Sequence, residues 1–253
     1  MQETILSAKS LCKSYAHNGM QSHILSNLDL DLLQGDFTII MGASGSGKST
    51  LLYALSGMDR PTSGEVWYGG RNIADLPERG LAKLRQQDFG FVFQQMHLVE
   101  NLTLFENVAV SGYLQAGVSA DAVNQRADQL LDQMGLSAIK THLPAQASGG
   151  EQQRAAIARA VISMPKLLFA DEPTGALNRR NTTEVLDLLT GLNREGQSIL
   201  MVTHDLRAAL RATRILYLED GSIIGELSLS PYSAQQEKSR EAQVNAWLTS
   251  MEW

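Results

Sequence analysis

The sequence predicts an α/β fold in which helices join the strands of a parallel sheet, with a β-rich start and a helical middle. Three short apolar runs, at residues 37–41, 167–170 and 198–203, are typical of strands covered on both faces. A glycine-rich stretch follows the first run, polar residues follow the other two, and helical patterns lie between the runs. Leucines that alternate with aspartates over residues 28–32 indicate half-buried strands near the start. Ligands of such folds usually bind at the carboxyl ends of the parallel strands.

Composition describes an ordinary globular chain. Of its 253 residues, 43% are hydrophobic and 19% are charged. The formal net charge of −6 argues against general nucleic-acid binding, which needs clustered Lys and Arg. The single cysteine, Cys12, cannot form an internal disulfide and fits a reducing compartment. No signal peptide or run of eighteen apolar residues is evident, so we expect a cytoplasmic chain that is neither secreted nor membrane-spanning.

A glycine-rich stretch, GASGSGKST at residues 42–50, fits the phosphate-binding pattern at Gly42, Gly47, Lys48 and Ser49. It lies between a predicted strand and a predicted helix, so its backbone N–H groups can form a concave anion site at the helix start. Lys48 would reach the β- and γ-phosphates of a nucleotide, and the Ser49 hydroxyl would ligate Mg²⁺. The alternative is a flexible Gly/Ser loop without a ligand.

Two polar positions outside this stretch, one before it and one after it in the sequence, are candidate ligand contacts. Tyr15, in the polar turn sequence KSYAHNG, could stack its ring on a flat ligand such as adenine, although an isolated tyrosine there is more often a packing residue. Gln94 follows the predicted strand 89–93, where a strand end in a parallel sheet meets the ligand. Alone, Gln94 could equally be a polar loop residue.

Residues 102–143 change to a helical pattern, which predicts a helical insert in the α/β fold. Gly135 is placed as a helix C-cap. The apolar positions at helical spacing are expected in the core: Leu104, Val108, Val110, Val123, Ala127, Leu130, Leu131 and Met134.

A second candidate anion site is Ser148-Gly149-Gly150, ahead of a helix predicted over residues 155–163. The alternative is a capped helix start. A chain that already has one phosphate-binding loop needs a second anion site only if that site acts on a partner's nucleotide.

Acidic residues and a histidine end two of the predicted buried strands. Asp171 can hold Mg²⁺ and Glu172 can polarise an attacking water, unless the pair is only a solvated acidic loop. His204 could hydrogen-bond a γ-phosphate, although a lone histidine is more often structural. Asp220-Gly221 predicts a β-hairpin turn.

The tail changes character after Pro231. An amphipathic helix is predicted from the spacing of Val244, Trp247, Leu248 and Met251. We expect it to pack on its own domain, and docking onto a partner is the alternative.

Taken together, these motifs resemble the ATP-binding subunits of ABC transporters over nearly the whole chain, to about residue 225. GASGSGKST is the Walker A motif, FQQ at residues 93–95 is similar to the Q-loop, and SGGEQQR at residues 148–154 to the family signature. LLFADEP is the Walker B motif with its glutamate, TGALN the D-loop and VTHD the H-loop.

The resemblance implies a P-loop NTPase (RecA-like) core with an N-terminal antiparallel β subdomain and an inserted α-helical subdomain at about residues 95–165. The ATP-binding domain would span residues 1–228 and the tail helix residues 229–253. It also implies an ATPase that uses ATP and Mg²⁺, works as a head-to-tail homodimer on an integral membrane permease, and lies on the inner face of the membrane.

The same resemblance assigns roles to single residues. Tyr15 would stack on adenine, and Gln94 would sense Mg²⁺ and the membrane partner. Glu172 would be the catalytic base, with His204 on the γ-phosphate. The residues that would contact the nucleotide from the Walker A and signature segments are Gly42, Ser44, Gly45, Gly47, Lys48, Ser49, Thr50, Ser148, Gly149 and Gly150.

Within the family, DEPTGAL at residues 171–177 resembles the branch of macrolide exporters, lipoprotein-releasing systems, cell-division ATPases and bacitracin-type peptide transporters. The sequences GASGSGKST and FADEPTGAL, together with a Trp-containing tail helix, are most similar to the antimicrobial-peptide group. The alternatives are a non-transporting membrane complex of the cell-division type and a soluble ABC ATPase.

Two positions depart from the family pattern. Ala147 stands where the signature usually has Leu, and Asn178 stands where the D-loop usually ends in Asp. If Ala147 is buried, its missing methyl groups would weaken or slow the closed dimer. Asn178 lacks a charge and offers an amide donor, which would alter contacts between the two ATP sites.

Overall fold

The computed structural model describes residues 3–17 and 20–251. The strands are β1 Thr4–His17, β2 Met20–Leu33, β3 Phe37–Met41, β4 Ser63–Tyr68, β5 Arg71–Asn72, β6 Phe89–Phe93, β7 Leu167–Asp171, β8 Ser198–Val202, β9 Arg214–Glu219 and β10 Ser222–Ser228. The α-helices are α1 Lys48–Leu55, α2 Glu78–Gln87, α3 Leu104–Tyr113, α4 Ala120–Gln133, α5 Gly149–Val161, α6 Arg179–Arg194, α7 Leu206–Ala209 and α8 Glu237–Ser250.

The chain divides into two compact units. The first combines residues 1–81 with residues 193–253, and the second is the continuous stretch 82–192 between them. Helices α2 and α6 cross the two boundaries.

Two groups of strands build the first unit. An antiparallel sheet has the order β2-β1-β4-β5. In the other group β3 pairs in parallel with both β8 and β9, and β10 closes the edge antiparallel to β9. Every residue of β3 and of β8 is buried, as expected for parallel strands covered on both faces. The two carboxyl ends, at Met41 and Val202, lie at the same edge because Ile40 pairs with Val202.

The second unit contains one parallel pair, β6 with β7, and a group of helices. Phe89 of β6 and Phe169 of β7 pack edge to face with ring centroids 5.1 Å apart. Helix α5 packs on α3, α4 and β6. The approach to β6 is close: a Cβ on Gly90 would lie 2.6 Å from the Ala160 carbonyl oxygen.

Most predicted elements are present with small shifts. Strands 37–41 and 89–93 match residue for residue. The predicted hairpin turn is confirmed, because Asp220 and Gly221 both have positive φ, 43° and 76°, as a type I′ turn requires. Gly135, with a φ of 68°, ends the segment after α4 as predicted.

Three details of the prediction are wrong. Val110 is 41% exposed rather than core, because it lies six residues after Leu104 and so faces away from the Leu104–Val108 side of the helix. Helix α5 begins at Gly149, not near residue 155, so the two glycines form its first turn. Tyr15 lies inside β1, paired with Ser22, rather than in a turn.

The predicted tail helix is present as α8, and it packs on other elements of the first unit, to which it belongs. Val244 and Leu248 are buried, and the Trp247 ring meets Tyr217 of β9 edge to face at 6.5 Å. Gly225 of β10 leaves room for this helix, since a Cβ there would lie 2.6 Å from the Met251 sulfur.

Among the described residues, none of the helices combines the length and the apolar character needed to cross a bilayer.

Candidate nucleotide-binding site

The Walker A segment forms a tight loop between β3 and α1. Gly42 allows the close approach on which the loop depends: a Cβ there would lie 2.1 Å from the Leu218 carbonyl oxygen. Gly47 is the N-cap of α1 and has a φ of 101°, a left-handed conformation that favours glycine. Ser44 and Gly45 are exposed at the tip of the loop, and a Cβ on Gly45 would meet nothing within 4 Å. The sequence thus forms a loop with an exposed tip at the N-terminus of α1.

The Lys48 side chain folds back onto this loop. Its ammonium donates hydrogen bonds to the carbonyl oxygens of Gly42 at 2.9 Å and Ala43 at 2.7 Å, and the residue is only 9% exposed. These bonds hold a positive charge on the inner side of the loop, where the phosphates of a nucleotide would lie.

One residue that sequence reasoning missed also points into the loop. The Ser46 hydroxyl is buried and has no hydrogen-bond partner among the described residues. A buried hydroxyl without a partner costs about 1–3 kcal/mol, so this oxygen fits a site that a polar ligand completes. Position 46 is a variable position of the motif, and the sequence pattern therefore gives no signal for it. The loop geometry and the Ser46 hydroxyl together fit a bound triphosphate.

Tyr15 lies beside the P-loop helix, and the residue is 44% exposed. Its hydroxyl donates to Asp59 Oδ2 at 2.6 Å and also takes a hydrogen bond from the Thr50 side chain. The bond to Asp59 is the main reason why the pKa of Tyr15 is raised. Burial alone would raise the pKa of Asp59, but hydrogen bonds from Lys13 and Tyr15 hold it below its ordinary value. Tyr15 and Thr50 are therefore brought together, and the base-binding role of Tyr15 stays a prediction.

His204 follows β8 and is exposed at the same edge as the Walker A loop. The backbone around it is fixed on both sides. Thr203 donates its N–H to the Ile40 carbonyl oxygen at 3.1 Å and accepts the N–H of Asp205 at 3.0 Å. Asp205 caps α7 and binds the Arg207 guanidinium with both oxygens. The first unit thus presents the imidazole of His204 on a rigid turn.

In the second unit the two Walker B carboxylates follow one another at the end of β7. Asp171 is the last strand residue and is 9% exposed. Glu172 has a φ of 45°, a left-handed conformation that is uncommon outside glycine, and its carbonyl oxygen accepts the Gly175 N–H at 3.0 Å. Such strained positions cluster at functional sites.

Gln94 lies next to these carboxylates because Phe93 pairs with Asp171 across the two parallel strands. Its side chain lies against Gly175, where a Cβ would come within 2.9 Å of Gln94 Nε2. The chain on either side of Gln94 is held by α5: Gln153 donates to the Phe93 carbonyl oxygen at 3.1 Å, and Arg159 donates to the Met96 carbonyl oxygen at 2.6 Å. The segment with Gln94 is thus fastened to the helix of the signature motif.

The signature segment itself forms a capped helix start. Ser148 Oγ accepts the Glu151 N–H at 3.4 Å, and the Glu151 carboxylate accepts the Ser148 N–H at 2.7 Å. The hydrogen bonds from Ser148 lower the pKa of Glu151. Gly150 has no space for a side chain, because a Cβ would lie 2.4 Å from Asn181 Cγ of α6. The capped-helix alternative therefore describes this chain by itself, and a role toward a partner's nucleotide stays a prediction.

Each unit brings together its own share of the predicted residues. The first collects the Walker A residues with Tyr15 and His204, and the second collects Gln94, Asp171 and Glu172. Among residues 3–17 and 20–251, no three His, Cys, Asp or Glu side chains are grouped closely enough to hold a metal. The assignment of Ser49, Gln94 and Asp171 to Mg²⁺ stays a prediction.

The sequence pattern of the ABC transporter family matches residues 25–175, more than half of the chain. Among curated relatives, the macrolide export ATP-binding/permease protein MacB 1/2 of Paracoccus denitrificans (strain Pd 1222) is 47% identical over 203 residues. That match covers 80% of this chain but 30% of the relative, so the chain spans less than a third of the relative's length.

Solved structures are similar over almost the whole chain. The ATP-binding cassette MJ0796, in a dimeric post-hydrolysis state bound to ADP and Pi, is 38% identical, with a TM-score of 0.83 over 90% of this chain and 100% of that one. cbiO1 of Clostridium perfringens, part of the transporter complex cbiONQ, is 27% identical, with a TM-score of 0.81 over 96% of this chain and 93% of that one. The predicted α/β fold of the P-loop NTPase type is confirmed.

Proposed function

Because this chain belongs to the ABC transporter family, we propose that it is the ATP-hydrolysing subunit of a transporter and drives a membrane permease. The observation that carries the proposal is the Walker A loop. This loop suits a nucleoside triphosphate for three reasons. Gly42 is closely packed, the Lys48 ammonium lies on the inner side of the loop, and the buried Ser46 hydroxyl has no partner among the described residues.

The reaction is in-line attack of water on the γ-phosphate. The water oxygen bonds to the γ-phosphorus as the bond to the β–γ bridging oxygen breaks, and ADP leaves with that oxygen. Glu172 orients this water and accepts its proton, His204 contacts the γ-phosphate, and Lys48 neutralises charge as it develops on the phosphate oxygens. Positioning and charge neutralisation supply most of the catalysis in reactions of this kind. The rigid backbone around Glu172 and His204 supports these roles, because a fixed turn keeps each group in place before ATP arrives.

Magnesium fits the chemistry of three side chains. Ser49, Gln94 and Asp171 offer a hydroxyl, an amide and a carboxylate oxygen, which are the hard ligands that Mg²⁺ prefers. When bound by these side chains, Mg²⁺ would supply positive charge that neutralises the phosphate oxygens.

A head-to-tail homodimer would complete each site. In it the Ser148, Gly149 and Gly150 segment of one subunit faces the nucleotide held by the other subunit's Walker A loop. The dimeric, ADP-bound state of MJ0796 supports this arrangement. Closure around ATP and reopening after hydrolysis would then move the helices of the second unit and, with them, the permease.

An apolar patch in the second unit supports docking of a membrane protein. Val110 and Tyr113 of α3 and its C-cap Leu114 lie at i, i+3 and i+4 and are 41%, 49% and 64% exposed. Val99 is 46% exposed and lies beside this helix, since its N–H and carbonyl both bond the Asn107 side chain. Exposed apolar clusters of this kind mark interaction sites. A subunit bound in this way would be peripheral on the cytoplasmic face of the membrane.

The substrate class rests on resemblance. The 47% identity to a macrolide export protein favours export or extraction of amphipathic compounds, with antimicrobial peptides, lipoproteins and macrolides as candidates. A non-transporting complex of the cell-division type would use the same ATPase and differ in its membrane partner.

Purification of the tagged chain from gently solubilised native membranes tests the proposal. We expect a permease to copurify, and Leu114→Glu should release it, whereas Ile224→Glu, at an exposed apolar residue outside the patch, should not. A large permease with an extracellular domain favours the peptide-antibiotic group, and short permeases or a periplasmic adaptor favour the lipoprotein or macrolide groups. Absence of any membrane protein would overturn the transporter proposal.

A further inference from the structure

The side chains of Asp59 and Lys13 contact Tyr15 at the candidate nucleotide site. The Tyr15 hydroxyl donates to one oxygen of Asp59, at 2.6 Å, and the other oxygen of the same carboxylate accepts the Lys13 ammonium, also at 2.6 Å. Lys13 comes from the same strand as Tyr15, whereas Asp59 lies 44 residues further on, after α1. One carboxylate therefore fixes both side chains.

Lys13 also covers one face of the Tyr15 ring. Its ammonium lies 4.8 Å from the ring centroid, within the range of a cation–π contact. Lys13 is itself 7% exposed and is held from a second side by the Arg60 carbonyl oxygen at 2.6 Å. Since this face is occupied and the residue is still 44% exposed, a flat ligand can stack only on the opposite face.

The backbone on both sides of the pair is tied together as well. The Thr62 N–H donates to the Cys12 carbonyl oxygen at 2.8 Å, and Thr62 Oγ1 accepts the Ser14 N–H at 2.9 Å. The segment after α1 therefore keeps its position relative to the end of β1. Asp59 and Tyr15 are held at hydrogen-bonding distance by main-chain contacts as well as by their own bond.

We infer that Asp59 and Lys13 are positioning residues that hold Tyr15 as a fixed platform for the adenine base of ATP. An exposed tyrosine on a strand would otherwise sample several rotamers, and a ligand that stacks on it would have to order it first. A ring that is already fixed binds more tightly because that ordering cost is not incurred on binding. The inference rests on the proposed role of Tyr15 as the base-stacking residue.

The test compares a ligand that has a base with one that lacks it. Binding of ATP and of inorganic tripolyphosphate, each with Mg²⁺, is measured by calorimetry on the full chain. Tyr15→Phe keeps the ring and removes only the hydroxyl, and Asp59→Asn removes one of the two acceptor oxygens. We expect each variant to weaken ATP about fivefold, which is about 1 kcal/mol, and to leave tripolyphosphate unchanged. The double variant should be no weaker than the weaker of the two single variants, because both changes break the bond between Tyr15 and Asp59.

Two controls make the outcomes distinct. Asp31→Asn, at an exposed carboxylate on β2, makes the same charge change away from this cluster and should bind both ligands normally. Tyr15→Ala removes the whole ring and should weaken ATP by about tenfold or more.

Three results would contradict the inference. If Tyr15→Ala binds ATP normally, Tyr15 is not the base platform, and its predicted base-stacking role is wrong although the proposed ATPase function stands. If Tyr15→Ala weakens ATP but Tyr15→Phe and Asp59→Asn do not, the platform stands and the positioning role is wrong. If Asp59→Asn weakens ATP and tripolyphosphate equally, Asp59 supports the loop in general. Tyr15→Phe still decides the question if Asp59→Asn does not fold.

Discussion

Two residues with proposed roles, Glu172 after β7 and Asn178 before α6, each take part in a defined local structure. Glu172 has a φ of 45° although it is not glycine, and the turn that it begins closes on Gly175 at 3.0 Å. Asn178 accepts the Asn181 N–H at 3.0 Å and so caps α6. The Glu172 backbone and the Asn178 side chain each serve the local structure, and both side chains have a proposed chemical role. Substitutions that preserve the local structure can test that role.

Glu172→Gln preserves the size and shape of the side chain and removes the proton acceptor. We expect steady-state ATP hydrolysis to fall by about 100-fold or more, the usual contribution of a general base, while ATP binding is retained. Phosphate release and equilibrium binding measure the two effects. Glu195→Gln, at an exposed glutamate in the first unit, is the matched control. Substantial residual hydrolysis would overturn the assignment of the base.

Asn178→Asp restores the charge that the family usually has at this position. Asn and Asp are about equally good helix caps, so we expect the thermal unfolding temperature to change little. The Hill coefficient for ATP hydrolysis should change, because the proposed contacts between the two ATP sites gain a negative charge. An identical Hill coefficient would remove this role for Asn178.

At the scale of elements, the tail helix α8 is fastened by a buried cation. Arg240 is 4% exposed and donates to the carbonyl oxygens of Leu210 at 2.6 Å, of Ser230 at 2.7 Å and of Ala212. Burial lowers the pKa of this guanidinium. The carbonyls of Leu210 and Ala212 lie just after α7, so one side chain ties the tail to the segment that follows His204.

Arg240→Met keeps an apolar stem and removes these three donors. Carbonyl oxygens left buried without partners cost about 1–3 kcal/mol each, so we expect the free energy of unfolding to fall by about 2 kcal/mol or more. Urea denaturation measures the change. Lys238→Met, on an exposed position of the same helix, should leave stability within about 0.5 kcal/mol. Equal effects of the two variants would contradict the proposed anchor.

At the scale of the whole molecule, the proposed cycle depends on two copies closing around ATP. Ala147, just before the signature serine, is 9% exposed and therefore buried, as the hypothesis of a loosened signature segment requires. A leucine there would add apolar contacts where the family usually has them.

Adding Ala147→Leu to Glu172→Gln should increase the dimer fraction in ATP. Glu172→Gln prevents turnover, so size-exclusion chromatography with light scattering can compare the two proteins at equilibrium. Both should be monomeric without nucleotide. An unchanged dimer fraction, together with unchanged ATPase activity of Ala147→Leu alone, would rule out the hypothesis.

The sequence by itself determined the elements that local rules govern. The Walker A loop, the buried strands and the type I′ hairpin each depend on residue types within a few positions, because glycine conformation and side-chain periodicity act over that range. The positions of Gln94 and Glu172 at strand ends follow from the same local patterns, whereas the pairing of the two strands that makes them neighbours is a tertiary contact.

Only the tertiary structure decided which distant residues meet. Asp59 holds Tyr15 across 44 positions, Arg240 reaches the carbonyl of Leu210 across 30, and Ser46 is left without a partner among the described residues. No local pattern encodes these contacts, because a hydrogen bond between distant segments depends on how the strands and helices pack. The sequence therefore predicted the phosphate site, and the fold supplied the groups that fix the proposed base platform and the tail.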